Sequence, residues 1–316
     1  LNSTGSGTTA VAGVFDIAFR FCRANGTSTS LSALQLLGHG ATYTKDYWAF
    51  PIQPEMYSYE LHANRAGYST LSYDLLGAGD SGKPDPFSVV QLPLHVSIAA
   101  KIAAMARAGT LSPALLPFAH IIYVAHSMGS VVLNGVMSHC TPAVVDGALL
   151  TGYTHPIPNI PPPSSDGVLQ EADTAFPDRF AGLSPGYRVA PDRTAFYGPE
   201  GTFDAHVLAV DAATQDLVTI GDVVSFSLPE VAAPTFGGHV LVIVGEFGGA
   251  NCMGNCSNVN SILAPRHSNR VSTSYSFPWI GADASVSDII SQTGHNLNLH
   301  LSAPVTYALM LDWVKR

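Results

Sequence analysis

The stretch Ile121-Ile122-Tyr123-Val124-Ala125-His126-Ser127-Met128-Gly129-Ser130-Val131-Val132 decides the fold. Five strand-like apolar residues, 121–125, pass without a loop into the helical spacing of Ser130–His139, and a serine stands at the reversal. A chain that turns from strand to helix this abruptly forces the turning residue into a strained conformation and holds its side chain out at the strand tip. Ser127 Oγ is therefore expected at a nucleophile elbow. The usual pattern is G-x-S-x-G, and here it reads A-x-S-x-G, with one extra methyl at Ala125 that a tight turn tolerates. An ordinary strand-to-helix turn carries similar residues, so the rest of the chain has to decide.

Upstream, Val14–Arg23 alternates as a half-buried outer strand does, and Ser32–Gly38 reads as a buried strand running into His39-Gly40-Ala41-Thr42. A glycine just past a strand lets backbone N–H groups face a ligand oxygen. Tyr57–Ala66 reads as a helix ended by Gly67, Tyr68–Asp74 as a strand, and Leu92–Ala108 as a helix. Gly77 to Lys83 nearly matches a phosphate-binding loop. Pro84 stands where the magnesium-holding Ser/Thr belongs, so nucleotide binding is not expected.

Downstream, Val145–Leu150, Val240–Gly245 and Ala284–Ser291 read as strands, and Ala303–Arg316 as a helix facing inward through Leu309 and Trp313. Strands alternating with helices predict an α/β fold, a mostly parallel central sheet with helices on both faces. Residues 152–236, rich in proline and aromatics and without that rhythm, are expected to form an inserted cap on a core made of 1–151 and 237–316.

Apolar residues make up 47% of the 316 and charged ones 12%, and the net charge is −9 without a basic cluster. That balance argues against nucleic acid and anionic membrane partners, and no apolar run approaches the twenty or so residues of a spanning helix. Cys252 and Cys256 lack a second ligand pair, so no metal or cofactor is expected. An even cysteine count with sequons at Asn2, Asn25 and Asn255 points to the secretory route, glycosylation and disulfides, Cys252–Cys256 first and Cys22–Cys140 as the remaining pairing. The chain begins at Leu1, as a processed or trimmed product does.

Several stretches together resemble the α/β-hydrolase superfamily, and more closely its secreted fungal serine hydrolases. They are His39-Gly40 with Trp48, Gly67-Tyr68 through Asp74, Gly77-Ala78-Gly79-Asp80-Ser81, the elbow at 125–129, Leu150-Thr151-Gly152-Tyr153, Gly245-Glu246, Cys252 with Cys256, and Gly294-His295. The resemblance implies Ser127 as nucleophile, His295 as its general base on the loop after the last strand, and an oxyanion hole from the backbone N–H groups of Met128 and Ala41. His300 is the one rival base near that loop. The resembling proteins carry an aspartate three residues past the glycine that ends the penultimate strand, and Gly248 stands there. Glu246 is then the nearest acid to orient His295. A serine–histidine pair without an acid, or a carboxylate from the insertion, are the alternatives.

The implied activity is hydrolysis of an ester, lactone or related acyl bond of an apolar small molecule through an acyl-enzyme. Two other readings stay open: an amidase or a C–C or cyanohydrin-cleaving enzyme of the same fold, and a non-catalytic ligand-binding protein with an incomplete triad.

Overall fold

In the computed structural model, which describes residues 10–24, 33–140, 142–154, 168–229, 231–233, 235–249, 256 and 285–315, ten strands are found among those residues. In chain order they are β1 (Phe19–Cys22), β2 (Ala33–Gly38), β3 (Ser69–Tyr73), β4 (His120–His126), β5 (Gly147–Thr151), β6 (Gln170–Glu171), β7 (Tyr187–Val189), β8 (Val218–Thr219), β9 (His239–Gly245) and β10 (Ser285–Ile290). Seven form one sheet in the order β1-β3-β2-β4-β5-β9-β10. Only β1 is antiparallel to its neighbour.

Strands buried on both faces read as continuous apolar runs, and β2 and β4 supply Leu34, Leu36, Leu37, Ile121, Tyr123 and Val124, all fully buried. The helices of the core are α1 (Pro54–Tyr57), α2 (Tyr59–Arg65), α3 (Leu92–Ala108) and α4 (Met128–His139), with a last one after the sheet, Ala303–Val314. One apolar cluster joins Leu36, Tyr123 and Leu150 to Val96 and Ala99 of α3 and Val131 and Val132 of α4. The other joins Leu37, Val124 and Ile243 to Tyr59 and Ala63 of α2 and to Tyr307 and Met310 of the last helix. The sheet is thus covered on both faces, as the sequence rhythm implies.

Register places the site. Gly38 pairs with Ala125, so the loop after β2 and the turn after β4 leave the same carboxyl end of the sheet side by side. Loops outside the carboxyl ends of parallel strands are where such sheets bind ligands.

Between β5 and β9 the described residues form a small antiparallel sheet, β6-β7-β8, and four short helices, α5 (Ala172–Ala175), α6 (Pro177–Phe180), α7 (Ala205–Thr214) and α8 (Ile220–Val224). Ala172, Phe180, Tyr187, Val189 and Leu217 form a cluster of their own, whereas Val207 of α7 and Val223 of α8 pack on the two core clusters. This unit is bonded to the loops at the strand ends: the Asp216 N–H donates to Thr42 O at 2.9 Å and the Gly79 N–H to Asp216 Oδ1 at 2.8 Å. Asn134 Nδ2 on α4 donates to Pro229 O and Val231 O at 2.8 and 2.9 Å. With its last helix taken as α9, Ala303–Val314, the chain holds nine α-helices among the described residues.

Two sequence expectations are corrected here. The alternation over Val14–Arg23 yields a strand only at Phe19–Cys22, because β3 ends at Tyr73 and the final rung is the Asp74 N–H to Ala18 O bond. Cys22 and Cys140 are free thiols rather than a bridge. Cys22 lies on the edge strand opposite Thr70, whereas Cys140 closes α4. Cys252 and the three sequons lie outside the described residues, and Cys256 is buried.

The glycine-rich loop after β3 closes on itself. Buried Asp74 accepts from the Lys45 N–H and Nζ, both at 2.7 Å, and from the Asp80 N–H at 2.9 Å. Lys83 Nζ folds back onto Gly79 O and Ser81 O, leaving this lysine to brace its own loop.

Candidate active site

Ser127 has φ 52° and ψ −119° at the head of α4. A non-glycine residue there carries roughly 1–3 kcal/mol of strain and persists only where its surroundings over-determine it. They do so here. The Ser127 N–H donates to Thr151 O at 2.9 Å and Ser130 Oγ to the same oxygen at 3.0 Å, so the elbow is stitched to β5. Gly129 is required, since a Cβ would stand 2.6 Å from His39 O and 2.7 Å from Gly38 O.

The expected oxyanion donors lie beside this serine. A Cβ on Gly40 would stand 3.0 Å from Ser127 Cβ, so the 39–42 loop lies against Ser127, and Met128 opens α4, where the first N–H groups have no intrahelical acceptor. Thr42, at φ 62°, is held in the left-handed region: Arg193 Nη1 donates to its Oγ1 at 2.5 Å, and that hydroxyl donates to Ala41 O at 2.6 Å. His39 is a brace. Its Nε2 accepts from the Leu75 N–H at 2.9 Å, which leaves Nδ1–H to donate to Gly40 O at 2.8 Å.

His295 Nε2 lies 2.9 Å from Ser127 Oγ. The ring is 3% exposed, and burial, with the nearby charges of Arg193 and His300, lowers its pKa to about 4. It is therefore neutral at pH 7, and an Nε2 lone pair can face Ser127 Oγ. His300 is excluded as base because both its nitrogens are engaged: Nε2 accepts from the Gly198 and Gly294 N–H groups at 3.0 Å each, and Nδ1 lies 2.7 Å from Asn296 O.

The acid expected from the sequence does not make its bond. Glu246 Oε2 accepts from Ser291 Oγ at 2.8 Å and from the Gln292 N–H at 2.9 Å, while buried His295 Nδ1 has no hydrogen-bond partner among the described residues. Two residues from Gly248, the Glu246 side chain is spent on the turn that precedes the histidine. Nor does the described insertion supply the acid. Its buried Asp211 accepts from Arg193 Nε at 3.2 Å and Nη2 at 3.1 Å, and from the hydroxyls of Tyr43 and Tyr197.

Rings surround the histidine instead. Tyr47 stacks on His126 with centroids 4.4 Å apart and planes at 13°, His126 lies 5.0 Å from His295, and Phe196 lies 5.9 Å from it on the insertion. His126 is fully buried, its Nδ1 is 3.1 Å from Thr151 Oγ1, and its pKa is driven well below 6.5, chiefly by burial. No sequence pattern gives His126 or Arg193 a role. The former stands inside the elbow motif, which is its one sequence signal. Among the described residues no group of three His, Cys, Asp or Glu side chains is placed to hold a metal, and no helix is long and apolar enough to cross a membrane.

No curated protein matches this chain in sequence. Among solved structures it is similar to a thermophilic esterase from Thermogutta terrifontis (TM-score 0.60, 17% identity, 98% of this chain and 96% of that one). It is also similar to a monoacylglycerol lipase from Paleococcus ferrophilus (0.58, 12%, 96% and 98%) and an esterase from Exiguobacterium antarcticum (0.60, 12%, 96% and 100%). These likenesses bear on the fold alone. A sequence match to the family itself runs over residues 35–308, from β2 into α9, and on that ground the chain belongs to the alpha/beta hydrolase family.

Proposed function

We propose that this hydrolase is a serine enzyme that cleaves an ester, lactone or related acyl bond through an acyl-enzyme. The observation that carries the reading is the 2.9 Å approach of His295 Nε2 to Ser127 Oγ, made at an elbow with φ 52°. In this mechanism Ser127 Oγ attacks the acyl carbon as its proton passes to Nε2. The N–H groups of Met128 and Ala41 receive the oxyanion, the imidazolium returns the proton to the leaving group, and water then repeats the sequence on the acyl-enzyme. Residues 152–236 act as the cap. The apolar and aromatic content of that stretch favours an apolar acyl or alcohol portion. The esterases and the lipase among the structural neighbours are consistent with an ester substrate. Passage through the secretory route belongs to the same proposal and rests on the three sequons, so a mass shift on glycosidase treatment tests it.

A fluorophosphonate probe tests the chemistry. Labelling should fall on Ser127 and vanish in Ser127→Ala, and acyl p-nitrophenyl esters of graded length should then rank the substrate class. The second reading, a binding protein with an incomplete triad, is favoured by His295 Nδ1 having no partner among the described residues and requires that the wild type does not label.

A further inference from the structure

An orienting carboxylate does two things for a catalytic histidine: it fixes the ring for proton transfer and it stabilises the imidazolium. Among the described residues no carboxylate bonds Nδ1 of His295, yet Nε2 is aimed at Ser127. We infer that a set of packed rings performs the first task here, with His126 and Phe196 as positioning residues that hold His295 towards Ser127. The inference rests on the serine-hydrolase reading above.

The ring of His295 has little room to turn. His126 flanks it at 5.0 Å with planes at 44°, and Phe196 at 5.9 Å with planes at 36°. Both separations lie in the range where aromatic rings attract. The backbone of Gly152 closes a third side: a Cβ there would stand 3.1 Å from His295 Cε1 and 2.8 Å from His126 Cε1.

Each flanking ring is itself fixed. His126 stacks on Tyr47, and Thr151 Oγ1, whose own proton goes to Ala125 O at 3.0 Å, accepts from its Nδ1–H. Phe196 lies under the Arg193 guanidinium at 4.8 Å, and Arg193 is clamped by Asp211. The Asn296 N–H donates to Phe196 O at 3.0 Å, tying the residue after His295 to the same unit. The clamp is thus assembled from both parts of the chain: Tyr47 and His126 belong to the core, Phe196 and Arg193 to the insertion. It supplies orientation without negative charge.

The test uses four variants of the full chain: Phe196→Tyr and His126→Phe, which keep a ring, and Phe196→Ala and His126→Ala, which remove it. Rates are read with a p-nitrophenyl ester that the wild type turns over, and by fluorophosphonate labelling from about pH 4 to about pH 8. Ring-keeping variants should stay within about threefold of wild-type kcat, while the alanine variants lose about tenfold or more with KM within about twofold. In Phe196→Ala, water reaching the imidazole should also move the acid limb of the labelling rate up towards about 6.5, which lost stability alone does not do. Alanine variants with wild-type kcat, or Phe196→Tyr as impaired as Phe196→Ala, overturn the inference. Should the His126 variants fail to fold, the Phe196 pair, at a half-buried position, decides alone. A wild type that does not label sinks the serine-hydrolase reading, whereas a wild type that labels beside equally fast alanine variants sinks the clamp only.

Discussion

Glu246 Oε2 accepts the backbone N–H of Gln292 at 2.9 Å, and so braces the turn in front of His295 rather than the imidazole. Gln292 has φ 55°, a left-handed position for a residue with a side chain, which explains why that turn needs a brace. Glu246→Gln keeps an acceptor oxygen and loses only its charge. Turnover should stay within about threefold of wild type, with a stability loss of about 1 kcal/mol in urea unfolding. A hundredfold fall in turnover at unchanged stability would instead give Glu246 the role of triad acid.

The elbow and the sheet were legible because each reports a local pattern. Residues 121–125 and Ser130–His139 switch period at Ser127, and the expected helix Leu92–Ala108 has the observed bounds, with Gly109 ending it at φ 67°. The strands of the insertion are two or three residues long, too short to show a period. Arg193 and Asp211 are eighteen positions apart, and nothing local marks them as a buried pair. The environment of His295 was illegible for the same reason: its neighbours His126 and Phe196, and the Tyr47 ring stacked behind His126, come from three separate parts of the chain.

The pH dependence follows from burial. His295 titrates at about 4, lowered first by desolvation and then by Arg193 and His300; His126 also flanks it, and the Asp211 charge is taken up by Arg193. The acid limb of kcat/KM should therefore lie near pH 4, below the ordinary histidine value of 6.5.

Stability should move in the same window. His295 and His300 are both lowered from 6.5 to about 4, so the unfolded chain binds more protons as pH falls between those values. Their contribution is full above 6.5 and is lost towards pH 4, on the order of 3 kcal/mol for each at 1.36 kcal/mol per unit. Urea midpoints at the two ends of the window check the sign.

Arg193 is 1% exposed and holds the Asp211 carboxylate with two bonds. Arg193→Met removes the cation and leaves a buried anion, which costs about 3–5 kcal/mol. Arg193→Met with Asp211→Asn should recover much of that loss, since the anion goes with its partner. Both variants free Thr42 Oγ1 from its donor, so labelling should slow even where stability returns. Unchanged labelling in the double variant would separate the 39–42 loop from Arg193.

Gly248 offers the last test, because it occupies the place of the aspartate in the resembling hydrolases. Its N–H closes a turn onto Gly245 O at 3.0 Å, directly after β9 and beside the β10 strand that leads to His295. A carboxylate introduced by Gly248→Asp that reaches Nδ1 would accept the proton that no described residue accepts and favour the imidazolium formed when Ser127 is deprotonated. The charge opposes the burial that depresses His295, so the acid limb should rise from about 4 towards the ordinary value of 6.5. The ring is already oriented, so the rate gain should come from charge stabilisation alone. About tenfold in kcat is expected, less than the loss on removing an acid from a complete triad. An upward shift of the limb without a gain in rate would show that the carboxylate arrives but that proton transfer to His295 does not limit turnover.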